Sequence, residues 1–155
     1  MRLYLMQHGL ATSKEEDPDR PLTDEGRAEV ERVARAASRV GIELDAIHHS
    51  GKLRARQTAE ILAERLQPGR VEEREGISPT DDPSIVAEEV AERSRPLSLV
   101  GHLPHLERLA SLLAAGDPDA SVVAFRNAAL VCLERDGEGA WGLRWILHPE
   151  LVPPA

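Results

Sequence analysis

"RLYLMQHG", residues 2–9, is a short apolar run that ends in Gln7, His8 and Gly9. The run is too short for an ordinary helix and is closed by glycine, so it reads as a β-strand feeding a tight turn. The pattern returns twice along the chain. "LDAIHHS" (44–50) reads as a second strand, and "LSLVGH" (97–102) as a third, again closed by Gly and His.

The segments between these strands carry helical spacing. Thr23 is a good N-cap, with Asp24 and Glu25 favourable in the first turn, and a helix is expected to run to about Val40, where Gly41 stops it. Val30, Val33, Ala34, Ala37 and Val40 supply its apolar face. A second helix spans about Lys52 to Leu66 before Pro68 and Gly69, with Leu53, Ile61, Leu62 and Leu66 inward. A third starts at Asp82-Pro83 and runs to about Ser94. A fourth opens at Pro104 and ends at Ala115 beside Gly116. The stretch from Arg70 through "VEEREGISPTDDP" reads mostly as loop, with a strand start at Arg70.

The tail changes character. "SVVAF" (121–125), "AALVCLER" and "LRWILH" look like strands, and "RDGEGAWG" supplies a hairpin turn. Strands alternating with helices, then a terminal hairpin, imply an α/β fold. Its expected form is three layers: a mostly parallel central sheet, helices on both faces, and a C-terminal antiparallel hairpin. No repeat or linker interrupts it, so residues 1–155 are expected to form one domain.

Composition narrows the function. The net charge of −8 argues against non-specific nucleic-acid or anionic-membrane binding, so an Arg and His cluster would stand out as a local anion site. There are 17 Arg but only 2 Lys, a bias that genome composition or a warm habitat explains as well as anion binding does. Cys132 is the only cysteine and lies in an apolar strand, where it reads as a buried structural residue. With no disulfide, no signal-peptide pattern and no apolar run of membrane-spanning length, a cytoplasmic protein is expected.

In an open parallel sheet the carboxyl ends of the strands form the ligand crevice. That rule brings His8-Gly9, Ser50 to Arg54, and Gly101-His102 toward one place. Alone, His8 would read as a structural residue. With the other two strand ends it becomes a candidate nucleophile in an anion site. Four motifs then carry a resemblance: "QHG" after the first strand, "RPLTDEG" (20–26), "SGKLRARQTAE" (50–60) and "VGHLP" (100–104). In this order they resemble the histidine phosphatase superfamily, and the small size looks most like its SixA-type phosphohistidine phosphatase branch.

The resemblance implies a phosphatase in which His8 is the nucleophile, Arg54 binds phosphate and His102 contacts the phosphoryl group. Arg20, near the site mouth, has a weaker claim, since it could instead pair with Asp17, Asp19 or Asp24. Gly9 lets backbone approach a tetrahedral anion. Gln7 is the departure, because the family pattern has Arg there. Glutamine keeps two N–H donors and loses the charge. The expected site is therefore weakened but working, held by Arg54, Arg20 and His102.

Phosphohistidine on a protein, such as a phosphotransfer domain, is the expected substrate, hydrolysed through phospho-His8 without cofactor or metal. Glu73, Glu75, Asp81 and Asp82 are available as acids, yet none falls in a matched motif, which favours a phosphoramidate over an ester. The alternatives are a small-molecule phosphomonoesterase of the same superfamily, or a phosphate-binding module whose catalysis was lost with the arginine. Arg56, two residues beyond Arg54, should point elsewhere on a helix. His48-His49 and His102 with His105 lack the partners of a tetrahedral metal set, and His105 is expected at the pocket rim. "GEGAWG" (137–142) matches a dinucleotide fingerprint only in letters, because no helix follows it. Trp141 and Trp145 are expected to pack at the far end of the sheet.

Overall fold

A computed structural model of the chain describes residues 1–154. The elements in order are β1 (Arg2–Gln7), α1 (Asp24–Arg39), β2 (Ala46–His49), α2 (Leu53–Leu66), β3 (Arg70–Glu73), α3 (Pro83–Glu92), β4 (Leu97–Gly101), α4 (His105–Ala115), β5 (Leu130–Arg135) and β6 (Trp141–Leu147), followed by a 3-10 turn at Pro149–Leu151. The six strands form one sheet in the order β3-β2-β4-β1-β5-β6. The first four of these run parallel, and β5 and β6 add as antiparallel neighbours. This is the mixed α/β architecture the alternation of strands and helices implied.

Side chains alternate across the sheet and give it two apolar faces. Tyr4, Met6 and Ile47 pack with Val30 and Val33 of α1 and with Ala59 and Leu62 of α2. Leu3, Leu5 and Leu99 face the other way, onto Val86 and Val90 of α3 and Leu106 and Leu109 of α4. Cys132 is free and buried on β5. Thr23 and Asp82 cap α1 and α3 as their sequence positions suggested, accepting from Gly26 N and Ser84 N. No described helix is long and apolar enough to cross a membrane.

Several local expectations need correction. "SVVAF" is no strand. Ser121 takes a positive φ of 52°, the β1 edge it could have joined is filled by β5, and Val123 is buried from a coil. Val40 falls just past α1 and is 74% exposed, because the backbone turns away before its side chain meets the core. In α2 only Leu62 of the four inward leucines and isoleucine is fully buried. Ala55, Thr58 and Ala59 form the rest of the contact stripe, and their small side chains allow a close approach. α3 ends at Glu92 rather than Ser94. Trp145 packs on Tyr4 with ring centroids 6.0 Å apart and planes tilted by 51°, and the Arg135 guanidinium lies 5.7 Å from the Trp141 ring.

Candidate active site

β1 and β4 are parallel neighbours with Gln7 opposite Gly101, so the residues that follow leave the sheet side by side. The rings of His8 and His102 have centroids 5.1 Å apart and planes tilted by 52°. The His8 amide donates to Gly101 O at 3.1 Å, tying the two turns together. β2, on the far side of β4, delivers Ser50 to the same place, and α2 begins two residues later.

The protonation of His8 follows from its partners. Nδ1 lies 2.7 Å from Gly9 O. A carbonyl can only accept, so Nδ1 carries the proton and Nε2 carries the lone pair. Among the described residues Nε2 has no hydrogen-bond partner, and it is not buried, so it opens on solvent. Burial, with the positive charges of Arg54 and Arg20, pulls the ring's pKa down to about 4, against the opposing pull of Gly9. His8 is neutral at pH 7, as a nitrogen nucleophile must be.

The turn after His8 is held on every side. Gly9 sits so close to α1 that a Cβ there would lie 2.8 Å from Val30 Cγ2 and 3.1 Å from Gly26 O. Its N–H donates to Thr58 Oγ1 at 3.0 Å, and that hydroxyl donates to Arg54 O at 2.8 Å. Asn127 Nδ2 donates to His8 O at 2.9 Å, and the Ala128 amide to Gln7 O at 3.0 Å. Arg126, next in chain, is anchored on Glu29 of α1 at 2.5 Å.

His8 and His102 meet at 5.1 Å, Arg54 and Arg20 are near enough for their charges to act on His8, and Gln7 and Gly9 flank it in the chain. The side-chain oxygen of Gln7 is buried without a partner, which makes the amide nitrogen the end that solvent can reach. Gln7 thus offers N–H donors to the pocket. Arg54 lies in the first turn of α2 with Nε buried and unpartnered, and burial together with Arg20 lowers its pKa. Among the described residues neither Arg54 nor Arg20 has a carboxylate within 4.0 Å, so Arg20 does not pair with Asp17, Asp19 or Asp24. Instead Arg20 Nε donates to Thr12 O at 3.1 Å, with the residue itself at a φ of 51°.

His102 is 2% exposed and its Nε2 is 2.6 Å from Ser50 Oγ, while Nδ1 has no partner. Burial, then the neighbouring His8, Arg54 and Lys52, lowers its pKa to about 3. Arg56 turns outward to Glu60 at 3.6 Å. His105 is not at the rim. It is the first residue of α4, 0% exposed, with both ring nitrogens unpartnered, because the first turn of α4 is packed against the sheet beside Leu106. Of the four loop carboxylates, Asp81 accepts from Ser78 N, Asp82 caps α3, and the Glu73 carboxyl packs against Gly51. Among the described residues no three His, Cys, Asp or Glu could hold a metal together.

The pocket is a neutral imidazole with an open lone pair, ringed by N–H donors and unpaired cations. Such an arrangement favours a tetrahedral oxyanion and a phosphoryl group in flight. Thr58 and Asn127 were not expected at the site, and Ser50 was expected only as the start of the segment that leads to Arg54, not as the partner of His102. A family model for the histidine phosphatase superfamily (branch 1) matches residues 3–80. An uncharacterized protein of Picosynechococcus sp. is 35% identical over 123 residues, which is 75% of this chain and 74% of that protein. The solved structure of a protein histidine phosphatase SixA complexed with tungstate superposes with a TM-score of 0.85 at 26% identity, over 96% of this chain and 97% of the other. A SixA structure from Agrobacterium tumefaciens, assigned as a phosphohistidine phosphatase, gives 0.79 at 25% identity over 96% and 97%.

Proposed function

Since the chain belongs to the histidine phosphatase superfamily, branch 1, and is a phosphatase, we propose that it hydrolyses phosphohistidine on a protein through a covalent phospho-His8 intermediate. One observation carries the reading: His8 holds its proton on Gly9 and turns an unencumbered Nε2 to the open side of the site. In the first step the Nε2 lone pair attacks phosphorus and the substrate's P–N bond breaks, the departing ring, already protonated on its other nitrogen, keeping the electron pair and leaving as neutral imidazole. In the second step water attacks phospho-His8, releasing phosphate and restoring the neutral ring. Arg54 and the Gln7 amide donate to the equatorial oxygens as charge gathers there, beside the His102 ring that Ser50 holds 5.1 Å from His8. Side chains and water suffice for both steps, so chelators should leave the rate unchanged.

A phosphoramidate fits this pocket better than an alkyl ester. An alcohol needs a proton from a positioned acid as it leaves, whereas a protonated imidazole leaves readily. The charged groups that act on His8 are Arg54 and Arg20, both cations. The likeness to the two SixA structures supports the same substrate class. The test is single-turnover hydrolysis of a ³²P-phosphohistidine protein, with an acid-labile label sought on wild type and on His8→Ala. Label on wild type alone, followed by phosphate release, is expected. Phosphate binding with no label and no release would leave a binding module in its place.

A further inference from the structure

Gln7 leaves the pocket one fixed cation short of the family pattern, and the structure offers a replacement that the motifs do not name. Lys52 is the N-cap residue of α2, two residues after Ser50 and two before Arg54. Its amide lies 3.4 Å from Ser50 Oγ, the atom that also holds His102. Its side chain is exposed and, among the described residues, makes no ion pair within 4.0 Å. Its neighbours one helical turn on, Ala55 and Arg56, bring no carboxylate, and the first turn of α2 has no acidic residue. Its field already reaches the site, since Lys52 is among the charges that keep His102 neutral.

We propose that Lys52 is a substrate-binding residue whose ammonium closes on a phosphoryl oxygen at the pocket mouth, supplying the charge that Gln7 lacks. The assignment rests on the phosphatase reading of the site for its biological meaning and on oxyanion binding for its test. A flexible lysine at the rim differs from a fixed arginine in the floor. It follows a phosphoryl group held on a bulky protein side chain, and it adds ground-state and transition-state attraction equally.

The experiment measures inorganic phosphate affinity by calorimetry at low ionic strength for wild type, Lys52→Met, Lys52→Arg, Gln7→Arg and the double variant Gln7→Arg/Lys52→Met. Thermal unfolding midpoints serve as the check on folding. Lys52→Met should weaken phosphate by roughly 3- to 10-fold, the range between an exposed and a partly buried charge contact, and Lys52→Arg should restore it. With the phosphohistidine protein as substrate, Lys52→Met should raise KM by a similar factor and leave kcat nearly unchanged. In the Gln7→Arg background the same substitution should cost less than about twofold, because one cation then stands in for the other. Unchanged phosphate affinity in Lys52→Met, or an equal loss in both backgrounds, overturns the proposal. A wild type that binds phosphate in the Lys52-dependent way yet forms no phospho-His8 would sink the phosphatase mechanism and leave the Lys52 assignment standing.

Discussion

The two ends of β1 are built in opposite ways. At the start of the strand, Arg2 is matched by Glu134 at 2.8 Å, and Tyr4 packs on Trp145 beside a groove of about 480 Å³ lined by Val40, Ile42 and Leu147. At its end, Gln7 and His8 face a space where, among the described residues, Arg20 and Arg54 have no carboxylate within 4.0 Å and Arg54 Nε and His102 Nδ1 lack partners. The end with the groove has its arginine paired. The end with the chemistry has its polar groups waiting. A folded chain rarely leaves buried polar atoms unpaired without cause, so the unsatisfied end is where a ligand completes the structure.

Three measurements press on that contrast. The largest effect should come from Arg54→Met, which removes a charged donor aimed at the transferring phosphoryl group. It should lower kcat/KM by ~10²–10³, while thermal stability holds or rises because an unpaired buried cation is gone. A parallel loss of stability would instead mark Arg54 as structural.

Next is Trp145→Ala at the opposite end. It should cost about 2–3 kcal/mol of unfolding free energy, since the ring is partly buried against Tyr4, and leave phosphate affinity of the folded protein as it was. A change in affinity would mean the two ends communicate.

The third effect is in pH. An unfolded histidine takes up its proton near pH 6.5, whereas folded His8 waits until about 4 and His102 until about 3. Between those values the unfolded chain binds more protons, so stability falls as pH drops below 6.5 and levels off near 3. Phosphate should raise both ring pKa values, so adding it at pH 5 should recover part of the loss and take up protons. The acid limb of kcat/KM should lie near 4 rather than 6.5. A limb at 6.5 would mean that His8 is solvated like any exposed histidine.

How much of this could be read from the chain depends on the kind of signal. β1, β2 and β4 were legible because a fully buried parallel strand must be apolar throughout. β3, "RVEE", showed only its start at Arg70, since an exposed edge strand has no apolar face to mark its length, and "SVVAF" misled because apolar residues without a free strand edge make no strand. His8, Arg54 and His102 were legible as motif residues at strand ends. Thr58, Ser50 and Asn127 act through single hydrogen bonds that span 49, 52 and 119 positions of sequence, and no local pattern records such a bond. The chain's only asparagine was on view as composition, but its partner was not.

That bond from Asn127 has a consequence for the order in which the protein matures. The nucleophile belongs to the first strand made, yet β5 and the turn before it, which hold its backbone, are made near the end. Every quoted motif is translated before residue 105, so a nascent chain could display all of them and still have a loose His8. Competence arrives with the closing of the longest loop in the sheet, a slow and non-local event by the usual relation between contact separation and folding speed. A ribosome-bound intermediate should therefore bind phosphate poorly until β5 has left the tunnel.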